Sequence, residues 1–203
     1  GRFNGEDIVD IILRQPATIR FVARHLYNFF VADEVQVPSW QDVPPKDPVA
    51  VNIIGDALSR SGYDITETLR VLFNSDFFKD EGIWYEKVKS PAELIVGTMR
   101  VVGDYRRPKP GISFLGQESG YQGQSLMDPP SVEGWHTGAE WIDSGSLLRR
   151  INFVADLMGD ANLPGVKDIV DRLLVMGPMS SMELVDHCAD LMGPVKLEDK
   201  KGI

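Results

Sequence analysis

Cysteine is almost absent from this sequence, histidine is scarce, and basic residues are outnumbered: one Cys, three His, and 21 Lys and Arg against 30 Asp and Glu. A single thiol, Cys188, rules out an internal disulfide framework, so packing must hold the fold. The net charge of -9 leaves no basic face from which nucleic acid could release counterions, and it disfavours anionic lipid for the same reason. No apolar run approaches the ~20 residues that span a bilayer. HExxH, paired CxxC, a Walker loop, the dinucleotide glycine fingerprint and the GxSxG elbow are all missing. Zinc-protease, nucleotide-binding and lipase chemistry lose their usual support, and neither a metal nor another cofactor is expected.

What is present is helical punctuation. The chain has 203 residues, 43% of them hydrophobic, which suffices for a buried core. Ile8, Ile11 and Ile12 start one apolar stretch that should stop at Gln15 before Pro16. From Pro16, Ile19, Val22, Ala23, Leu26 and Phe30 recur at helical spacing, with Arg20, Arg24 and Asn28 on another face. Val37 to Pro48 reads as a loop. Ile53, Ile54, Ala57 and Leu58 form a stripe that Gly62 ends, and Asp64 with Glu67 resembles a capping box ahead of Leu69, Leu72 and Phe73. Those two helices are expected to form a hairpin.

Ser90-Pro91-Ala92-Glu93 is the strongest start signal, predicting a helix to about Val102 that Gly103 closes. Leu147, Leu148, Ile151, Val154 and Met158 give a stripe ended by Gly159; Val166, Ile169, Val170, Leu173 and Leu174 give another ended by Gly177-Pro178. Ser180 with Glu183 opens a last helix through Leu184, Cys188 and Leu191, and Lys196 to Ile203 is a charged tail. Only Ile112 to Leu115 leaves room for a short hairpin. The predicted class is all-α, a multi-helix orthogonal bundle with one long Gly/Pro/Trp-rich loop, forming either a single domain over 1–203 or two subdomains divided near 104–143.

Between Tyr105 and Asp143 the periodicity gives way to Gly, Pro, Gln and Trp. A loop of such length inside a helical domain is often functional. Its dense part holds Gln124, Asp128, Glu133, Trp135, His136, Glu140, Trp141 and Asp143, with glycines that allow close backbone approach. Acids beside indole rings suit carbohydrate binding or glycoside hydrolysis, where rings stack on sugars and carboxyl groups exchange protons. The plainer reading makes Trp135 and Trp141 anchors for the loop and Asp143 or Ser144 a helix cap. Elsewhere, His25 lies one turn from both Phe21 and Phe29 and reads as a packed histidine, with no second His or Cys at ligand spacing. His187 and Cys188 point about 100° apart on a helix and cannot act as base and nucleophile together, so Cys188 reads as a buried structural thiol.

Several segments carry a likeness. Phe3-Asn4-Gly5-Glu6-Asp7-Ile8-Val9 runs into Arg14-Gln15-Pro16-Ala17-Thr18; Gly123-Gln124 leads through Pro129-Pro130-Ser131-Val132-Glu133-Gly134-Trp135 to Trp141-Ile142-Asp143. With Lys89-Ser90-Pro91 and Leu147 to Phe153, these segments resemble the C-terminal part of the bacterial domain of unknown function 1800 family. The resemblance implies a longer, exported protein, periplasmic or at the cell surface, with an N-terminal helical region beyond this piece. The sequence departs from the family pattern at Met127, where Phe is usual, at Ser131 and Asp143, where Asn is usual, and at Thr137, where Gly is usual. The family brings no activity and no catalytic residues with it. Two functions fit the residues. One is a non-catalytic domain that binds a partner protein, an extracellular ligand or that N-terminal region through the Trp-bearing loop. The other is a hydrolase acting on an extracellular polymer such as a polysaccharide through loop carboxylates and His136.

Overall fold

The computed structural model describes residues 3–135 and 137–193. Among these residues the fold is all-α: ten α-helices and no strand. They are α1 (Gly5–Leu13), α2 (Pro16–Phe30), α3 (Pro48–Arg60), α4 (Ile65–Asn74), α5 (Asp76–Lys79), α6 (Pro91–Val102), α7 (Ile112–Tyr121), α8 (Ser144–Met158), α9 (Pro164–Val175) and α10 (Ser181–Met192). Short 3-10 turns occupy Val37–Gln41, Glu81–Ile83 and Gly138–Trp141.

The boundaries follow cap chemistry. Asn4 accepts from the Asp7 amide while the Asp7 carboxylate accepts from the Asn4 amide, and Ser180 with Glu183 repeats that reciprocal pair at α10. Asp47 and Asp64 cap α3 and α4, and Pro16 opens α2 with its φ already helical. Gly62 and Gly103 stop their helices at φ 65° and 72°, a region closed to most other residues.

The chain divides into two units, Gly1–Ser90 with Met127–Asp143, and Pro91–Leu126 with Ser144–Ile203. In the first unit α2 lies against α3 and α3 against α4, the hairpin expected of the sequence. Ala23, Tyr27, Val31, Ala50, Val51, Ile54 and Leu72 form its core, with Phe30, Phe77 and Phe78 packed around them. Gly55 allows close contact, since a Cβ there would stand 3.3 Å from the Ile19 side chain. In the second unit α6 is central, touching α7, α8 and α9. Its core is Ile95, Met99, Val102 and Val166, ringed by Leu115, Phe153, Leu157 and Leu163.

Three expectations change. The Gly-rich stretch after Tyr105 contains α7, so Ile112 to Leu115 is helical rather than a hairpin; Gly111 at φ 94° starts the helix, where its lack of a Cβ is required. Arg24, on a face apart from the apolar stripe of α2, is 4% exposed. Cys188 is exposed rather than buried, on a helix that has no buried residue. The apolar stripe of α8 also faces outward: Leu148 is 60% and Ile151 55% exposed, whereas Ser146 and Arg150 are each 7% exposed. The predicted tail from Lys196 lies outside the described residues.

Candidate functional site

Two adjacent acids following α2 organise the first unit. Asp33 and Glu34 are 8% and 6% exposed and sit between Ala32 and Val35. Buried carboxylates need full hydrogen bonding, and both have it. Glu34 accepts from Arg24 at 2.7 and 3.2 Å and from the Lys46 amide at 2.9 Å. Arg24 also donates to the carbonyls of Val43 and Pro44 and lies 4.6 Å above the Trp40 ring. Asp33 accepts from Lys87 at 3.0 Å and from the Val88 amide at 2.7 Å. The pair thus fastens the stretches around residues 43–46 and 87–88 to the end of α2. The loop approaches the same point: a Cβ on Gly138 would lie 3.1 Å from that of Asp33, and Gln36 donates to both oxygens of Thr137 at 3.2 Å.

Above this frame, α2 presents Phe21, His25 and Phe29 one turn apart. The His25 ring lies 4.5 Å from Phe21 and 4.6 Å from Trp40, whose indole N–H is fixed on the Val35 carbonyl at 2.6 Å. Burial among these rings disfavours the imidazolium and lowers the His25 pKa. Tyr27, facing the core, has its hydroxyl pushed up to about 12, first by burial and then by the charges of Asp47, Glu34 and Glu86. Beside His25 opens a groove of about 500 Å³, walled by Leu26, Phe29, Phe30, Val35 and Val37, with Lys87 and Glu133 polar and Trp135 at the loop side.

The structure distributes the sequence-nominated residues unevenly. Trp135 is half-buried on the groove wall, and its Nε1 is shut off from solvent with no hydrogen-bond partner among the described residues. Glu133 is exposed in the same groove. Trp141 is 7% exposed, as an anchor would be. Asp128, Glu140 and Asp143 are exposed. Gln124 belongs to the second unit, where its side-chain oxygen accepts from the Ala92 amide at 2.9 Å and its main-chain oxygen from the Ser119 hydroxyl at 2.9 Å, closing the start of α6 onto the end of α7. His136 lies outside the described residues. Among those residues, no three His, Cys, Asp or Glu side chains gather where they could hold a metal.

Sequence reasoning missed Asp33, Glu34 and Arg24. The signal was available: an acid pair set in Val-Ala-Asp-Glu-Val is hard to solvate on both sides and so needs a cation nearby. Which cation could not be read from the spacing, because Arg24 is ten residues upstream across the end of a helix.

The family model described as protein of unknown function (DUF1800) matches residues 1–201. The chain belongs to the DUF1800 family. No curated protein and no solved structure matches it. DUF1800 membership therefore brings no activity, and the function must be argued from the groove itself.

Proposed function

We propose that this DUF1800 chain is a non-catalytic binding domain of an exported bacterial protein, and that the groove of the first unit receives an apolar segment of a partner polypeptide. The observation that carries the reading is the Trp135 indole N–H, withdrawn from water and without an acceptor among the described residues. A buried donor left unpaired is destabilising by about 1–3 kcal/mol, and a ligand that displaced the groove wall over Trp135 and offered it a carbonyl would relieve that. Around the donor stand apolar and aromatic walls, and the groove's volume of about 500 Å³ lies in the ordinary range of binding sites. The acids do not favour hydrolysis: Asp128, Glu133, Glu140 and Asp143 are all exposed, whereas a general acid needs a setting that raises its pKa. Export rests on the family resemblance; among the described residues no helix is long and apolar enough to cross a membrane.

The test is selection from a displayed peptide library on the purified protein. Recovered peptides should share an apolar or aromatic anchor, and binding should fall at least tenfold with Phe29→Asp and with Trp135→Phe, which keeps an aromatic ring, though a smaller one, and removes the donor. Selection that recovers no such peptides, or peptides whose binding ignores both substitutions, would contradict the reading.

A further inference from the structure

Charge is divided unevenly between the two units. The first, Gly1–Ser90 with Met127–Asp143, contains 18 Asp and Glu against ten Lys and Arg, and so carries -8 of the chain's -9. The second contains 12 acids against 11 bases. Within the first unit, the loop from Met127 to Asp143 has four acids, Asp128, Glu133, Glu140 and Asp143, and neither Lys nor Arg. That loop brings Glu133 and Trp135 to the wall of the groove beside His25. The cation on the same wall is already engaged: Lys87 donates to Asp33 at 3.0 Å and to the Asn28 carbonyl at 2.7 Å. His25, packed against Phe21 and Trp40, disfavours a charge of its own. Glu133 is exposed, and among the described residues no cation lies within ion-pair distance of its carboxylate. It is the charge of the groove wall that lacks a counter-ion among those residues.

We propose that the segment received by this groove is basic: an apolar anchor that occupies the groove along Phe29 and Trp135, with a Lys or Arg beside it that pairs with Glu133. The inference rests on the groove as a peptide site and adds the charge of what it takes. Two effects act at different ranges. Over distance, the field of a unit with a net charge of -8 draws in a cationic segment and turns away an acidic one, which raises the association rate of the first. At contact, Glu133 stands on a wall shared with Phe29, Phe30 and Val35, where a cation on the ligand supplies the missing counter-ion and a carboxylate would meet an uncompensated like charge. Apolar burial supplies the affinity, and charge decides which apolar segment is admitted.

Two versions of one displayed peptide library test this, each with a randomised apolar centre, one flanked by Lys and the other by Glu. On the purified protein the Lys version should be enriched about tenfold over the Glu version, and added salt should narrow that margin. Glu133→Lys should reverse the preference. Asp10→Lys makes the same change of charge on α1, at a residue that does not line the groove, and should leave the direction of the preference unchanged. Both positions are exposed, so each variant should keep the helical circular dichroism of the parent. Binders recovered equally from the two versions would overturn the basic partner and leave the groove standing. Failure of both versions to yield a binder would remove the groove reading and this inference with it. A preference that survives Glu133→Lys, or that Asp10→Lys reverses as fully, would overturn the pairing with Glu133.

Discussion

The two units solve the same problem in opposite ways. In the first, the apolar stripes of α2 and α3 turn inward, and the arginine that enters the interior, Arg24, is enclosed together with its partner: the side chains of Arg24 and Glu34 are 5% and 1% exposed. In the second, the corresponding pair is lopsided, Glu118 being 2% exposed and Arg149 46%. α8 there places Ser146 and Arg150 inside and keeps leucine and isoleucine outside. Enclosure of the ion pair, and not of apolar surface, separates the units: Phe29 of the first is 70% exposed and Leu148 of the second 60%.

Removing one acid from each unit gives the largest expected contrast. Glu34→Ala leaves Arg24 buried without its counter-ion and should destabilise the protein by about 3–5 kcal/mol in a urea titration. Glu118→Ala releases an Arg149 that can hydrate, so the loss should be nearer 1–3 kcal/mol, about that of an unpaired polar group. Equal losses would erase the distinction between the units.

Glycines sharpen it next. A Cβ on Gly165 would sit 1.9 Å from the Val101 carbonyl oxygen and 2.7 Å from the Val102 carbonyl carbon, backbone atoms that cannot swing aside. Gly165→Ala should therefore force α9 off α6 and cost about 3 kcal/mol or more. Gly116, within α7, has nothing within 4 Å of its added Cβ, and Gly116→Ala should stabilise the second unit by roughly 0.5–1 kcal/mol. Both are read from thermal melts; a harmless Gly165→Ala would remove the close α6–α9 contact from the account.

The smallest effect concerns protons. Burial lowers the His25 pKa below its ordinary 6.5, so in acid the unfolded chain binds a proton that the folded chain does not. Stability should fall as pH drops through about 6.5 toward the lowered value, and His25→Phe should flatten that part of the profile. A profile unchanged by the substitution would place His25 in water rather than among Phe21 and Trp40.

Local punctuation explains why the helices were so legible. Asp47, Asp64, Pro16, Pro91, Gly62, Gly103 and Ser180 each act within a turn of where they stand, and such signals need no knowledge of the tertiary fold. What failed was orientation and long-range pairing. The stripe of α8 was visible, but periodicity shows that a face exists and not which way it points. α7 was hidden because Gly111, Gly116 and Gly120 dominate a segment that packing on α6 nonetheless holds helical. For the candidate site, the loop was found and Trp135 and Glu133 within it, whereas the opposite wall, His25 to Phe30 and Val35 to Val37, comes from far upstream and was joined to it only in three dimensions.

The most direct measurement is the indole N–H resonance of Trp135, one of four tryptophan side chains, assigned in nitrogen-15-labelled protein by its loss in Trp135→Phe. In the free protein it should lie upfield, in the range of an indole without a hydrogen bond, and exchange slowly with water. It should move downfield when a library-selected peptide is added. A resonance already hydrogen-bonded in the free protein, or one that the bound peptide leaves in place, would contradict the groove as a binding site.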